Sequence, residues 1–341
     1  MMQHRSSPSR AAIARLRPAI VIASLALCAA SAWAFDLQGH RGARGLAPEN
    51  TLAAFTRAQA IGVTTLETDL AVTRDGVLVI SHDPFLNPDL VRDAEGRWLA
   101  IKGPPIRTLN LAELKRYDIG RLNPASAYAR QFPEQQPADG QRFPALTELF
   151  DYVKSTGKPL QFNLETKIRP DQPDETVDAA TFARFVVDAV RGAGLANRAT
   201  IQSFDWRTLV ESKKLAPEIE TACLTIESDG MDTVKRKSGL ASPWHAGLDL
   251  SAYGGSLPRI AKAAGCATWS PFWRNVTPAA VAEAHGLGLK VLPWTVNDPA
   301  DMARLIDMKV DGLISDYPDR LRKAMADKGL PLPQSHNVGA T

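Results

Sequence analysis

Acidic, basic and imidazole side chains recur at the ends of apolar runs in this sequence, and their types narrow the chemistry open to it. Glu67 and Asp69 stand two apart in TTLETDL, so on a strand both point to one face. Glu165 and Lys167 end LQFNLETK, His40 and Arg41 follow FDLQG, and His82 closes VLVISH. Three carboxylates without a thiolate form an oxygen cage for a hard cation, Mg²⁺ or Ca²⁺, whereas zinc more often takes His or Cys. Arg41 and Lys167 add fixed positive charge suited to a phosphate anion. His40 and His82 suit a general acid–base pair near neutral pH. A cation, two basic side chains and two imidazoles together describe cleavage of a phosphodiester.

Residues this far apart in sequence meet only if the fold gathers strand ends in one place. Nine apolar runs read as strands: FDLQ, TTLETDL, VLVISH, LQFNLE, ATIQSF, TACLTI, ATWSPF, LKVLPWTV and DGLISDY. Between them lie helical stretches such as NTLAAFTRAQAIG, ATFARFVVDAVRGAG, TPAAVAEAHGLG and DPADMARLIDM, with Asn, Asp or Thr at their starts and Gly near several ends. This alternation predicts a parallel α/β fold, and its length favours a (β/α)8 barrel over an open sheet. In a barrel all C-terminal strand ends face one mouth, which adds Gln202-Ser203, Trp294 with Asn297, and Ser315-Asp316 to the same rim.

Two regions break the rhythm. AVTRDG is too short for a helix, and a hairpin at Asp75-Gly76 would set Asp69 nearly opposite His82. Residues 85–142, rich in Pro, Gly and polar side chains, read as an insertion beside the site with a short helix from Leu111 to Tyr117. Asn50 is expected to cap the helix that follows, and the stretch 329–341 to lack order.

GHRGARGLAPENT, LETDLAVTRDGVLVISHDP, NLETK, QSFD, PWTVN and GLISDYPD occur in that order across residues 35–325, and together they resemble the glycerophosphodiester phosphodiesterase family. The resemblance implies a (β/α)8 barrel with an insertion after the third strand. It implies hydrolysis of glycerophosphodiesters to sn-glycerol 3-phosphate and an alcohol, with one divalent metal ion. His40 and His82 match the family's catalytic histidines, and Glu67, Asp69 and Glu165 its metal-binding carboxylates. Arg41 and Lys167 match its phosphate-contacting cations, and Glu49 its site-supporting glutamate. Trp294 resembles the aromatic wall of the glycerol pocket, and Gln202 is a further substrate-side candidate. A related lyase that stops at a cyclic phosphate, as in sphingomyelinase D-like proteins, and a non-catalytic ligand-capture protein of the envelope are the alternatives.

Residues 1–34 carry four arginines and no acid, then an apolar run ending in Ala32-Trp33-Ala34. This is the pattern of a secretory signal peptide cut before Phe35, with a periplasmic or secreted product. The apolar run is shorter than the roughly 18–20 residues of a membrane span. The full chain of 341 residues carries a net charge of +3, so loss of those four arginines leaves −1. The basic balance therefore belongs to the leader and gives no reason to expect nucleic acid as a partner. Cys223 and Cys266 remain after cleavage and are free to pair, although a core of this size does not need the bond. Trp269, Phe272 and Trp273 form either a second apolar rim or core, and His245 and His285 read as structural.

Overall fold

The computed structural model describes residues 1–2 and 35–335, and every element below falls in the compact unit Ala34–Thr341. The expected leader therefore lies almost wholly outside the described residues. The strands are β1 (Asp36–Gly39), β2 (Thr65–Val72), β3 (Leu78–Ile80), β4 (Gln161–Thr166), β5 (Ala199–Ser203), β6 (Glu220–Thr225), β7 (Thr268–Pro271), β8 (Lys290–Val291) and β9 (Gly312–Ser315). Eight of them pair in parallel in the order β8-β7-β6-β5-β4-β2-β1-β9. The seam between β8 and β9 is bridged by Asp311 N–H to the Val291 carbonyl at 3.0 Å and Ile314 N–H to the Pro293 carbonyl at 3.0 Å. The result is a nearly closed (β/α)8 barrel, as the alternation predicts, and each expected run holds one strand.

Around it lie α1 (Leu52–Ile61), α2 (Leu111–Leu114), α3 (Leu146–Thr156), α4 (Ala179–Gly192), α5 (Trp206–Leu215), α6 (Leu257–Ala263), α7 (Pro278–Gly286), α8 (Pro299–Asp307) and α9 (Pro318–Asp327). α4 shows why such segments fold this way. Phe182, Ala183, Val186, Val187 and Val190 recur at helical spacing and are buried, and Asp178 caps the start by accepting from Thr181 N–H at 3.0 Å. Phe182 and the three valines join Leu164 and Ile201 of the strands in one continuous core between barrel and helices.

β3 runs antiparallel to β2, with Leu70 opposite Ile80 and Val72 opposite Leu78. The turn is fastened by Thr73, whose hydroxyl bonds Asp75 at 2.6 Å and accepts from Val77 N–H at 3.0 Å. This register brings Ser81 N–H to the Asp69 carbonyl at 3.0 Å, one position from the expected partner His82.

The insertion follows β3 and packs Leu86, Val91, Ile106, Leu114 and Ile119 with Val79 into a small core of its own. Its helix α2 is shorter than expected, ending at Leu114, after a capping box between Asn110 and Glu113. The cap of α1 also differs from expectation. Thr51, not Asn50, accepts from Ala54 N–H at 3.1 Å, while Asn50 takes a left-handed φ of 57° outside the helix. Cys223 of β6 and Cys266 beyond α6 form a disulfide across 43 positions. In the stretch 329–341, the Pro333 carbonyl accepts from Arg322 at 2.7 Å, and residues 336–341 lie outside the described residues.

Candidate active site

The loop after β1 turns tightly over the barrel mouth. A Cβ on Gly39 would stand 2.0 Å from the Gly42 carbonyl oxygen, and Gly42 itself has φ +86°. Only glycine fits both places. Arg41 between them also takes a left-handed φ of 51°, which aims its N–H at Glu67 Oε2, 2.8 Å away. His40 N–H bonds the Ser315 carbonyl at 2.9 Å, so the loop is fixed to β9 as well.

Both histidines are held in one manner. His40 Nδ1 lies 2.6 Å from Asp316 Oδ1, and His82 Nδ1 lies 3.0 Å from Asp83 Oδ1. An ionised carboxylate only accepts, so each ring donates from Nδ1 and leaves Nε2 for chemistry. His40 Nε2 sits 3.9 Å from Glu67 Oε2. Burial, helped by Arg44 and Arg41, brings the His40 imidazole down to about 4 against the opposing pull of Asp316. Burial, then Arg41 and Lys167, lowers His82 in the same direction. Asp316 stays far below the usual carboxylate range: burial opposes this, but Arg44 and His40 outweigh it.

Glu67, Asp69 and Glu165 converge, with one carboxylate oxygen of each within 4.8 Å of the others, and all three are buried. Burial and the charges of Asp69 and Glu165 push Glu67 well above its ordinary value. Burial also raises Glu165, against the pull of Lys167. Asp69 moves the other way, since Arg41 and Lys167 overcome its burial. Asp69 Oδ1 is buried and makes no hydrogen bond. Crowded buried acids with an orphaned oxygen, and no sulfur or imidazole among them, fit a hard divalent cation. Lys167 Nζ bonds Glu165 Oε1 at 2.6 Å and lies 3.6 Å from Asp69 Oδ1. Arg41 donates to Glu49 Oε1 at 2.6 Å, and its Nε lies 3.1 Å from Asp69 without hydrogen-bond alignment.

Beside His82 and Lys167 opens a pocket of about 400 Å³. Phe85, Phe204, Trp244 and Trp294 supply its aromatic wall. Phe204 stands edge-on to Trp294 at 5.1 Å, and Trp294 Nε1 is fixed to the Ser270 carbonyl at 2.9 Å. Trp269, Phe272 and Trp273 do not line this pocket; Trp269 is core. His285 pairs with Asp311, and His245 stacks on Trp206; neither lines this pocket.

The model of the glycerophosphoryl diester phosphodiesterase family matches residues 40–320. The chain belongs to this family. Glycerophosphodiester phosphodiesterases of Caldanaerobacter subterraneus and Bacillus subtilis are each 29% identical to it over 83% of this chain, covering 94% and 84% of their own lengths. A solved structure from Silicibacter pomeroyi, provisionally named for the same activity, superposes with TM-score 0.78 at 35% identity, covering 88% of this chain and 95% of that one. An Oleispira antarctica phosphodiesterase solved with its product sn-glycerol-3-phosphate shares the fold at TM-score 0.61 and 24% identity, over 85% and 96% of the two chains.

Within this phosphodiesterase, the mouth gathers His40, Arg41, Glu49, Glu67, Asp69, His82, Glu165 and Lys167. Trp294 stands to one side, on the pocket wall. Gln202 is buried and reaches the site through another residue: its amide donates to Glu67 Oε1 at 2.8 Å and accepts from Asn163 at 2.9 Å. Four further residues enter with partners the sequence does not show: Asp316 and Asn297, expected only at the rim, Asn50, expected as a helix cap, and Arg44. Asp316 holds His40; Arg44 grips Asp316 with two bonds, of 2.8 and 3.0 Å. Asn297 donates to the same carboxylate at 2.7 Å. Asn50 donates to Asp69 at 3.0 Å and accepts from Thr68 at 3.0 Å. A signal for Asp316 existed, since it ends a strand at the same rim, but its partner was not readable.

Proposed function

We propose that this enzyme hydrolyses glycerophosphodiesters such as glycerophosphocholine and glycerophosphoethanolamine to sn-glycerol 3-phosphate and an alcohol. One divalent cation, Ca²⁺ or Mg²⁺, would be held by Glu67, Asp69 and Glu165. The observation that carries the reading is the pairing of two aspartate-anchored imidazoles with a buried three-carboxylate cluster at one mouth. When bound, the cation supplies positive charge that polarises substrate oxygens.

The chain's own residues do the rest. Arg41 and Lys167 receive the phosphoryl oxygens and offset their charge in the transition state. The substrate hydroxyl beside the phosphate ester attacks phosphorus, and the Nε2 of one histidine takes its proton. The Nε2 of the other gives a proton to the departing alcohol as its P–O bond breaks. A cyclic phosphate results, and water opens it with the two imidazoles in exchanged roles. Both imidazoles are lowered partly by nearby cations, so an arriving phosphodiester anion makes it easier to protonate one of them. The aromatic pocket beside His82 gives room for a substituent larger than the phosphate itself.

Export to the periplasm or beyond, after cleavage before Phe35, is part of the proposal and rests on the sequence of residues 1–34. Among the described residues no helix is long and apolar enough to cross a membrane. The test is product analysis with chelated enzyme, glycerophosphocholine, and added Ca²⁺ or Mg²⁺. Metal-dependent release of choline and sn-glycerol 3-phosphate supports the reading. Turnover unaffected by chelation, or a cyclic phosphate as the final product, sinks it.

A further inference from the structure

Tyr128, carried by the insertion, touches two separate arms of the site through one hydroxyl group. It donates to Glu49 Oε2 and accepts from Arg44 Nη1 at 3.0 Å. Glu49 in turn holds Arg41 at 2.6 Å, and Arg44 holds Asp316, which holds His40 at 2.6 Å. The phenol is thus the one described group that bonds to both a phosphate-side and a proton-transfer-side support. Burial and the neighbouring Glu49 raise the phenol above its ordinary range, so it remains a donor at neutral pH. A water molecule could bridge the same atoms, but a phenol fixed to the backbone defines their direction as well.

The surrounding segment reinforces the contact. Arg44 lies over the Phe132 ring at 4.7 Å, and Phe132 meets Tyr128 edge-on at 5.3 Å. Gln135 donates to the Arg44 carbonyl at 2.7 Å, and Gln136 N–H to the Leu46 carbonyl at 3.0 Å. Part of the insertion therefore fastens onto the loop bearing His40 and Arg41.

We propose that Tyr128 is a positioning residue that couples Glu49–Arg41 to Arg44–Asp316–His40, so that the insertion sets the geometry of phosphate binding and proton transfer together. This rests on the function proposed above. Groups displaced by a fraction of an ångström lose transition-state interactions more than ground-state ones.

The experiment compares wild type, Tyr128→Phe, Glu49→Gln, Arg44→Lys and both doubles with Tyr128→Phe, assayed on glycerophosphocholine with metal. Phenylalanine keeps the ring on Phe132 and removes only the hydroxyl. The expected result is a kcat lower by roughly tenfold or more with KM within about threefold, at an unchanged melting temperature. In the Glu49→Gln and Arg44→Lys backgrounds the same change should cost less than about threefold, because its route is already broken. Full turnover by Tyr128→Phe, or losses that multiply independently in both backgrounds, overturns the proposal. So does a loss that tracks a fall in melting temperature. An inactive wild type would instead overturn the underlying reading, and the proposal with it.

Discussion

Asp316 meets the Nδ1 atom of His40 at 2.6 Å across 276 positions of sequence, and in doing so fixes which nitrogen of that ring faces the carboxylate cluster. Asp316 is itself held by Arg44 and Asn297, so the ring has little freedom to turn. Asp316→Asn should therefore keep the fold but offer an amide whose N–H can favour the wrong tautomer. We expect kcat to fall on the order of 10²- to 10⁴-fold with KM little changed. Steady-state kinetics within threefold of wild type would refute this role.

Removing either imidazole should be as damaging. His40→Ala and His82→Ala are each expected to lower turnover by about 10²- to 10⁴-fold, and the double variant by little more than the worse single. Purely multiplicative losses would show that the two rings do not work as one unit.

The acidic cluster predicts a link between metal and stability. With Glu67, Asp69 and Glu165 buried together, a bound cation removes mutual repulsion and binds the folded chain alone. Chelation should lower the melting temperature and added Ca²⁺ or Mg²⁺ restore it. The shift should vanish in Glu67→Gln/Glu165→Gln; a shift that persists there would place the ion elsewhere.

His245 supplies a pH dependence of stability separate from the two mouth histidines. Its ring is buried against Trp206 at 4.3 Å, neither nitrogen has a partner, and burial lowers its pKa from 6.5 to about 4. The unfolded chain therefore takes up the proton more readily, so stability is intact above pH 6.5 and falls as pH drops toward 4. The whole effect amounts to about 3 kcal/mol. Urea unfolding of wild type and His245→Phe should diverge through that window, with the variant losing less stability. Parallel curves would count against it.

The Cys223–Cys266 disulfide closes a loop of 43 residues' separation. Cys223→Ser/Cys266→Ser should lose about 2–4 kcal/mol of stability. Turnover at 25 °C should be kept, since Cys223 Sγ faces the Ala261 carbonyl of α6. A variant as stable as wild type in urea would show that the bond adds nothing.

Much of the fold could be read in the sequence because buried parallel strands are nearly continuous apolar runs, and polar residues at their ends stand out. That is how Glu67, Asp69, His82, Glu165 and Lys167 were assembled from separate segments. What escaped depends on side-chain direction across long separations. Asn50 has the residue type of a helix cap, yet Thr51 beside it caps equally well, and the left-handed turn sends Asn50 to Asp69 instead. Tyr128 sits in an insertion with no periodic pattern, so nothing local marks its reach to Glu49. The cysteine pairing likewise depends on the approach of β6 to the end of α6, which spacing alone does not state.

The reversed strand β3 gives the second histidine an unusual dependence. Barrel strands deliver their end residues by the closure of the whole sheet, but His82 arrives from a strand running the opposite way, two residues past Ile80. Its height over Asp69 is set by the Thr73–Gly76 turn. A single residue added there would slip the pairing and reverse the faces on which the following side chains stand. A surface turn that touches no substrate thus works as the ruler of the active site, and its length is under constraint even where its composition is not.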